Sequence, residues 1–572
     1  MKELTIENYQ ELQPWIQIAG YEDCNANIVT MLMWKDPYPF FFEVHPHFAM
    51  AYFQIRETGQ FYWYMPFCKE KHRKEAIDAM LQYSKAHDMP MRMTSVSKDW
   101  RNWLQRHYYG KILFHKEWDG KDYIYDRQQQ ETLAGKKMQK RRNHYNAFLK
   151  EYGGRYEYHA LSPADFDDVF ACLRRWQNAH EDLFGIKEED AGIHFLLEHF
   201  EELGLSGGVI TIDGQLEAFS IISPITEQML DIHVEKANRE IRGLYVAILK
   251  LYLEQADPKY TLLNREDDMG LASLAKAKHD MRPIRIPLKY SARFEDWMIR
   301  LPAEQDLEAI RSLWLKSFKD ETQQTADFYF EHLYDPADCR IITTKDTLIA
   351  MCMIPKWKMS IQGEVQEIRF LEGVAVDPGF QNCGYLRLLM EHLDQEFPNE
   401  PMMLQAYDWD LYVPFGYTIT HYGKQYLLSK IQGAPDTGHF LAPEAATCAR
   451  IYNQCMQRFD GWRIRDEAYF ADFWLPYQEC CGMQTWQYEK NGEINGYLSL
   501  HQEDRQIEID EIMYVNEDAL LEMLSLLQIK ADTLIIHTHL QTKFKGHSQR
   551  VPLLMMKHAP TMQENRFISE CI

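Results

Sequence analysis

Between Arg369 and Met390 the chain reads RFLEGVAVDPGFQNCGYLRLLM. The apolar run Phe370–Val376 predicts a strand that stops at Asp377-Pro378, since proline cannot donate to a ladder. The polar turn Gln381-Asn382-Cys383-Gly384 then opens without a spacer into an amphipathic helix, Tyr385–Leu393. A strand, a tight turn and a helix start in so few residues constrain three elements at once. The helix start leaves backbone N–H groups unpaired where the macrodipole also favours negative charge, so the turn is shaped to receive a pyrophosphate.

A second pattern repeats along the chain. Strand pairs are predicted over Gly208–Phe219, turning at Asp213-Gly214, over Ile341–Met351, turning at Lys345-Asp346, and over Trp486–Leu498, turning at Asn491-Gly492. Asp-Gly and Asn-Gly are strong hairpin signals. Each pair follows a helical stretch, which points to one fold used repeatedly. A chain of 572 residues also exceeds what a single core supports. The expected fold class is α/β (α+β), with mixed, mostly antiparallel sheets flanked by helices. An N-terminal module is expected over 1–292, with units at about 1–127 and 155–292 around a basic helix, Ala134–Tyr152. A further unit is expected over 296–432 and a last one over 443–540. Gly433, Pro435, Gly438 and Pro443 mark a linker between them. Residues 543–572 read as an irregular tail.

Bulk properties narrow the function classes. No apolar run reaches the roughly 18 residues of a membrane span, and the N-terminus has no apolar targeting segment. Eleven cysteines without C-x-x-C pairs fit a reducing cytoplasm and neither a disulfide framework nor a zinc site. The net charge of −23 leaves nucleic-acid contact to local basic patches such as Lys136–Arg142.

The stretch 296–432 resembles the GNAT N-acetyltransferase superfamily. Gln381-Asn382-Cys383-Gly384-Tyr385-Leu386 is similar to its acyl-CoA motif [Q/R]-x-x-G-x-[G/A], with Leu386 in place of the small residue. Tyr412-Val413-Pro414-Phe415-Gly416-Tyr417 is similar to the run that closes its site. Together with Gly461–Glu467 and Asn495–Leu498, the region 296–540 resembles the enhanced-intracellular-survival group of bacterial acetyltransferases. The resemblance implies acetyl-CoA held by Val374, Ala375, Val376, Gln381, Asn382, Cys383, Gly384, Tyr385 and Leu386, and a small-molecule amine acceptor. It implies Tyr412 as the acid that protonates the leaving thiolate and Glu372 as the base. A carboxylate buried in a strand has a raised pKa, which suits a base near neutrality. In that group the C-terminal carboxylate, here Ile572, can also serve as base, and Asp408 and Asp410 offer charge to a cationic acceptor.

Residues 1–292 resemble the C-terminal domain of phosphatidylglycerol lysyltransferases (DUF2156), itself a pair of GNAT-like units. The runs Asn25–Ile28, Met33–Asp36, Lys136–His144, Asp231–Asn238 and Asn264–Gly270 carry the likeness. Period-two alternation predicts Asp231, His233 and Glu235 on one strand face opposite Ile232 and Val234, with Arg265 and Lys236 as partners. His233, Glu235, Lys236, Asn264, Arg265, Glu266 and Asp268 form the candidate N-terminal site, for which aminoacyl transfer from tRNA is the alternative activity; a non-catalytic GNAT-like binding scaffold is the other alternative for the chain. His233, Glu235 and Asp268 are also weighed as metal ligands, but no metal is expected. The sequence leaves the acceptor and any homo-oligomer open.

Overall fold

The computed structural model describes residues 1–117, 120–178, 186–429, 438–528 and 531–569. The chain divides into two compact units, Met1–Asp296 and Trp297–Ile572. Among the described residues no helix is long and apolar enough to cross a membrane.

One motif, strand–helix–strand with the two strands parallel, recurs in both units; such a crossover needs an intervening helix. In the first unit β1 (Phe61–Trp63), α1 (Arg73–Ala86) and β2 (Arg92–Ser97) form it, with Trp63 beside Met93. Helix α2 (Gln139–Tyr152) follows, then a hairpin of β3 (Ser206–Ile212) and β4 (Gln215–Pro224). Its turn residues Asp213 and Gly214 have φ of 50° and 83°, the mirror-image turn that a two-residue loop requires. The hairpin feeds β5 (Met229–Ala237), α3 (Leu244–Gln255) and β6 (Leu262–Asn264), where Met229–Asp231 pair in parallel with Leu262–Asn264.

In the second unit α4 (Leu307–Ser317) and α5 (Gln323–His332) precede the hairpin β7 (Cys339–Thr343) and β8 (Leu348–Met353). Then come β9 (Glu364–Phe370), β10 (Glu372–Val376), α6 (Tyr385–Glu396), β11 (Met402–Leu404) and β12 (Thr418–Leu428). The last repeat holds the hairpin β13 (Gln484–Lys490) and β14 (Glu493–Glu503), then β15 (Gln506–Tyr514), α7 (Glu517–Gln528) and β16 (Thr533–His539). Here Gln506–Ile509 pair in parallel with Thr533–Ile536. Helix α6 buries Leu388, Leu389, Met390 and Leu393, the i, i+3, i+4 stripe expected of it. Each such side chain contributes about 1.5–3 kcal/mol on burial.

Three expectations are corrected. The strand predicted over Phe370–Val376 is two strands in different sheets. Strand β9 pairs with β11, whereas β10 pairs with β8, and Leu371 lies between them. Just past the break, where the register of β10 against β8 shifts, Gly373 has a φ of +57°, and an added Cβ there would meet Trp314 at 2.6 Å and Met353 Sδ at 2.7 Å. The tail is not irregular throughout: β17 (His547–Lys557) lies between β12 and β11. Its Pro552 is tolerated because it faces Tyr422 at a shift in register. The linker stretch is partly ordered too, since His439–Leu441 pair with β13; residues 430–437 lie outside the described ones.

Candidate functional site

The second unit opens a gap where its strands part. Arg369 and Phe370 lie beside Met402 and Met403, and the Leu371 N–H donates to Met403 O at 2.8 Å. Beyond that point β10 turns to β8 (Ala350 beside Val376, Met351 beside Ala375), while β11 stays with β17. Strand β10 is the edge of its sheet, so Val374, Ala375 and Val376 present one backbone edge to the gap. At its far end Asp377 caps a short turn by accepting from the Gly379 N–H, and Gln381 Nε2 reaches back to Val376 O at 3.3 Å. Asn382 (φ 64°) and Gly384 (φ 93°) swing the backbone into α6, with Gly384 as its N-cap. Leu388 N–H takes the first intrahelical bond, to Gly384 O, and within the turn the Cys383 N–H donates to Phe380 O at 3.4 Å. Cys383 and Tyr385 are buried and anchor this turn from below, whereas Leu386 is half-buried beside it.

Glu372 stands at the parting. Its Oε1 accepts from Tyr329 Oη at 2.6 Å, and Tyr329 stacks on Trp314 with ring centroids 4.4 Å apart. Burial pushes the Glu372 carboxyl up to about 7, partly offset by the Tyr329 bond and the Arg463 charge. Tyr412 is 9% exposed, at the junction of two short turns, and burial pushes its hydroxyl up to about 12 with Cys352 and Asp408 as acidic neighbours. The two groups lie toward opposite faces of the sheet. Glu372 pairs with Met353 on the α4 and α5 side, whereas Tyr412 lies near Cys352 on the side where Arg340 pairs with Glu396 of α6. No hydrogen bond joins Tyr412 to Glu372 among the described residues. Asp408 and Asp410 are exposed on the turn before Tyr412, and Ile572 lies outside the described residues.

In the first unit a dense polar core lies where β5 and β6 part. His233 Nε2 meets Ser223 Oγ at 2.8 Å, and its Nδ1 is 3.2 Å from Glu266 Oε1 and 4.0 Å from Asp231 Oδ2. Asn27 Nδ2 donates to both Asp231 Oδ2 and Ser223 Oγ at 3.1 Å, while Asp231 Oδ1 is buried without a partner. Burial pushes Asp231 up to about 7 and Glu266 up to about 8, and holds His233 below its ordinary value. Next to it Lys289 Nζ bridges Asp23 and Asp122 at 2.7 Å each, and Asn264 Nδ2 donates to Asp122 at 3.0 Å.

The predicted common face of Asp231, His233 and Glu235 does not form. His233 is the extra residue of a bulge: Val234 faces Ile221 but Ile232 faces Ile222. The bulge shifts the period, so Ile232 packs in one core and Val234 in another. Glu235 turns away to a two-pronged pair with Arg265 at 2.9 and 3.0 Å. Lys236 instead pairs with Glu189 at 2.8 Å over the Trp176 ring, and Asp268 accepts from Tyr123 Oη at 2.5 Å. The set His233, Glu235 and Asp268 is therefore not assembled. The atoms that could hold a cation belong to Asp231, His233 and Glu266, all within 4.8 Å of one another. A similar group, Asp23, Cys24 and Asp122, already has the Lys289 ammonium against it. Asn27, Asp122, Ser223, Asp231 and Lys289 escape the sequence reading as site residues, since each is brought in by a partner far along the chain. Of these, Asn27 and Asp231 lie in runs that carry the family likeness.

Residues 17–293 match the family described as phosphatidylglycerol lysyltransferase, C-terminal, and residues 298–420 match the acetyltransferase (GNAT) domain. The chain carries one domain of each family. It is thus a GNAT-type transferase domain joined to a lysyltransferase-like one. A curated relative, an uncharacterised protein of Mycoplasmoides gallisepticum, is 25% identical over 169 residues, which are 30% of this chain and 54% of that protein. The chain spans about half the length of this relative. A conserved protein of unknown function from Bacteroides thetaiotaomicron is 27% identical with a TM-score of 0.49, covering 51% of this chain and 99% of its own. The structure of L-PGS from Bacillus licheniformis is 17% identical with a TM-score of 0.37, covering 50% and 91%.

Proposed function

We propose that the GNAT-type domain transfers an acyl group, acetyl in the first instance, from its CoA thioester to a primary amine. The observation that carries this reading is the parting of β10 from β11 immediately before the Gln381–Gly384 turn, with Glu372 at the parting. The pantetheine arm would lie along the open edge of Val374–Val376, its pyrophosphate on the turn that begins α6. Glu372 takes the proton of the attacking ammonium through water, and a backbone N–H of β10 stabilises the tetrahedral oxyanion. As the new C–N bond forms and the C–S bond breaks, Tyr412 gives its proton to the departing thiolate. The amine nitrogen and the sulfur share one tetrahedral carbon, so with the two side chains toward opposite faces Tyr412 acts at the sulfur directly and Glu372 reaches the amine through water.

Acetyl-CoA at about 100 times its Kd should raise the melting temperature of this domain by roughly 5 °C. Gly384→Asp should abolish the shift, since φ of 93° suits glycine and a carboxylate would repel the pyrophosphate. Calorimetry showing no heat with millimolar acetyl-CoA on the unaltered chain would overturn the reading.

A second reading concerns the lysyltransferase-like domain: aminoacyl transfer, with the substrate's ammonium taken by Asp231, His233 and Glu266. Its support is the unpartnered, buried Asp231 Oδ1 in a pocket of two carboxylates. Asp231→Asn should lower transfer from an aminoacyl-tRNA at least tenfold while leaving acetyl transfer unchanged. Equal rates, or no salt-dependent retention of tRNA on filters, would remove this reading.

A further inference from the structure

Asp231 and Glu266 converge on one buried histidine without a counter-charge from the protein. Asp231 and His233, two apart on β5, stay together although the bulge sends Glu235 away. Glu266 joins them from the turn after β6, at a left-handed φ of 57°, where Asn264 Oδ1 accepts its N–H. The side chains of Asp231 and His233 are inaccessible, and that of Glu266 is 24% exposed. Among the described residues neither carboxylate forms an ion pair with a lysine or arginine. Lys278, whose charge acts on Glu266, gives its ammonium to Arg265 O and Asp267 O instead. The other acidic group of this unit, Asp23, Cys24 and Asp122, has the Lys289 ammonium against it. The fold thus neutralises one group with its own lysine and leaves the other open, and buried charge without a partner is costly.

The spacing of the donor atoms says which cation fits. Around His233 Nδ1 stand Glu266 Oε1 at 3.2 Å, Thr30 Oγ1 at 3.4 Å and Asp231 Oδ2 at 4.0 Å. A four-coordinate ion with bonds of about 2.0–2.2 Å sets its donors about 3.3–3.6 Å apart. The first two gaps lie at that edge length. The third is longer, but Oδ2 is the occupied oxygen of Asp231: it accepts from Asn27, while Oδ1 is sealed beside it without a partner. Outer partners fix the other donors. Ser223 Oγ lies 2.8 Å from His233 Nε2 and can accept its N–H, the tautomer that turns the Nδ1 lone pair toward the carboxylates. Asn27 Nδ2 also donates to Ser223 Oγ, so one amide braces both ligands. One imidazole among oxygens suits a transition ion, whereas calcium and magnesium take oxygen alone and more of it.

We propose that the first unit binds a divalent transition-metal ion, zinc in the first instance, on Asp231, His233 Nδ1 and Glu266. Thr30 Oγ1, neutral and the weakest of the four donors, marks the position that a water or a substrate oxygen would take. The part-exposed side of Glu266 is the way in. The proposal does not rest on aminoacyl transfer: a metal and a substrate ammonium answer the same negative charge and exclude each other.

The test uses the full chain, stripped with a chelator and titrated with zinc against a chromophoric chelator, and in parallel with cobalt. One zinc should bind tightly and, at about 100 times its Kd, raise the melting temperature by roughly 5 °C. Cobalt should show the intense visible bands of a four-coordinate ion without a thiolate charge-transfer band, which separates this site from Cys24. Ser223→Ala should weaken zinc by about 10- to 100-fold, the range for loss of an outer partner, and Asp231→Asn and Glu266→Gln by more. Asp231→Asn keeps the shape and removes a buried negative charge, so without metal it should melt as high as the parent. Equal zinc affinity in the parent and all three variants would overturn the proposal, as would a cobalt spectrum dominated by thiolate. Binding of butylammonium but not of zinc would also overturn it and leave the ammonium reading in place. Zinc bound at these residues in a chain that transfers no aminoacyl group would remove that reading and uphold the metal site.

Discussion

Replacing Glu372 by Gln is expected to lower kcat/KM for acetyl transfer by about 10²- to 10⁴-fold, the range over which a positioned base acts. The amide keeps the shape and can still meet Tyr329, so the KM for acetyl-CoA should hardly move. The pH profile carries more information than the rate alone. A base works deprotonated, and burial places Glu372 at about 7, so the rate should rise with pH through that value. In Glu372→Gln that rising limb should vanish. Tyr329→Phe gives the opposite control: the Tyr329 hydroxyl donates to the carboxylate and so favours its charged form. Losing that bond should move the limb to higher pH while most activity at alkaline pH survives. An unchanged limb in Tyr329→Phe would mean that another group titrates. Full activity in Glu372→Gln would remove Glu372 from the reaction.

How much of this arrangement is legible in the chain depends on how local its cause is. The hairpins at Asp213-Gly214 and Asn491-Gly492 and the turn at Gly384 are readable, because their positive φ angles follow from the residues at those places. The parting of β10 from β11 is not. Next to it stands Gly373, which in the sequence merely continues an apolar run, but whose left-handed φ and close approach to Trp314 of α4 and Met353 of β8 leave no room for a side chain. The bulge at His233 hides in the same way: strict alternation places Glu235 with Asp231, and one extra residue reverses it. The tail strand is masked by Pro552 and by the polar residues of its first half, though its partners β11 and β12 supply the ladder that the local pattern does not advertise. Arg141 shows the reverse case. It sits in a basic run that reads as one patch for nucleic acid, yet the fold half-buries it beside Arg265 while Lys136 and Lys137 stay exposed.

The largest effect on stability should come from Lys289→Met in the first unit. Lys289 Nζ lies 2.7 Å from both Asp23 and Asp122, all three are nearly inaccessible, and the three residues come from distant parts of the chain. Removing one partner of a buried ionic group leaves uncompensated charge, which costs about 3–5 kcal/mol at neutral pH. The sign of the pH dependence follows from the groups left behind. In the unaltered chain burial works against the Lys289 ammonium, but Asp122 and Asp23 outweigh it and raise its pKa. Its contribution is therefore complete below the ordinary lysine value and is lost only as pH rises through the raised one. Lys289 also opposes the burial of the carboxyls, leaving Asp122 below its ordinary value while Asp23 is raised to about 6. Without the ammonium both carboxyls must move up, so the folded variant prefers them protonated. Its deficit should be greatest at alkaline pH and shrink as pH falls toward 5. Urea unfolding across that range measures this directly, and a deficit that grows on acidification would contradict the assignment. The change should also reach the neighbouring pocket: Asp122 accepts from Asn264 Nδ2, and Asn264 Oδ1 accepts the Glu266 N–H at 2.7 Å. Because Glu266 sits at a left-handed φ of 57°, loss of that hold frees the carboxylate that faces His233. Activity of the first unit should then fall at temperatures where Lys289→Met is still folded, while that of the second unit is unaltered.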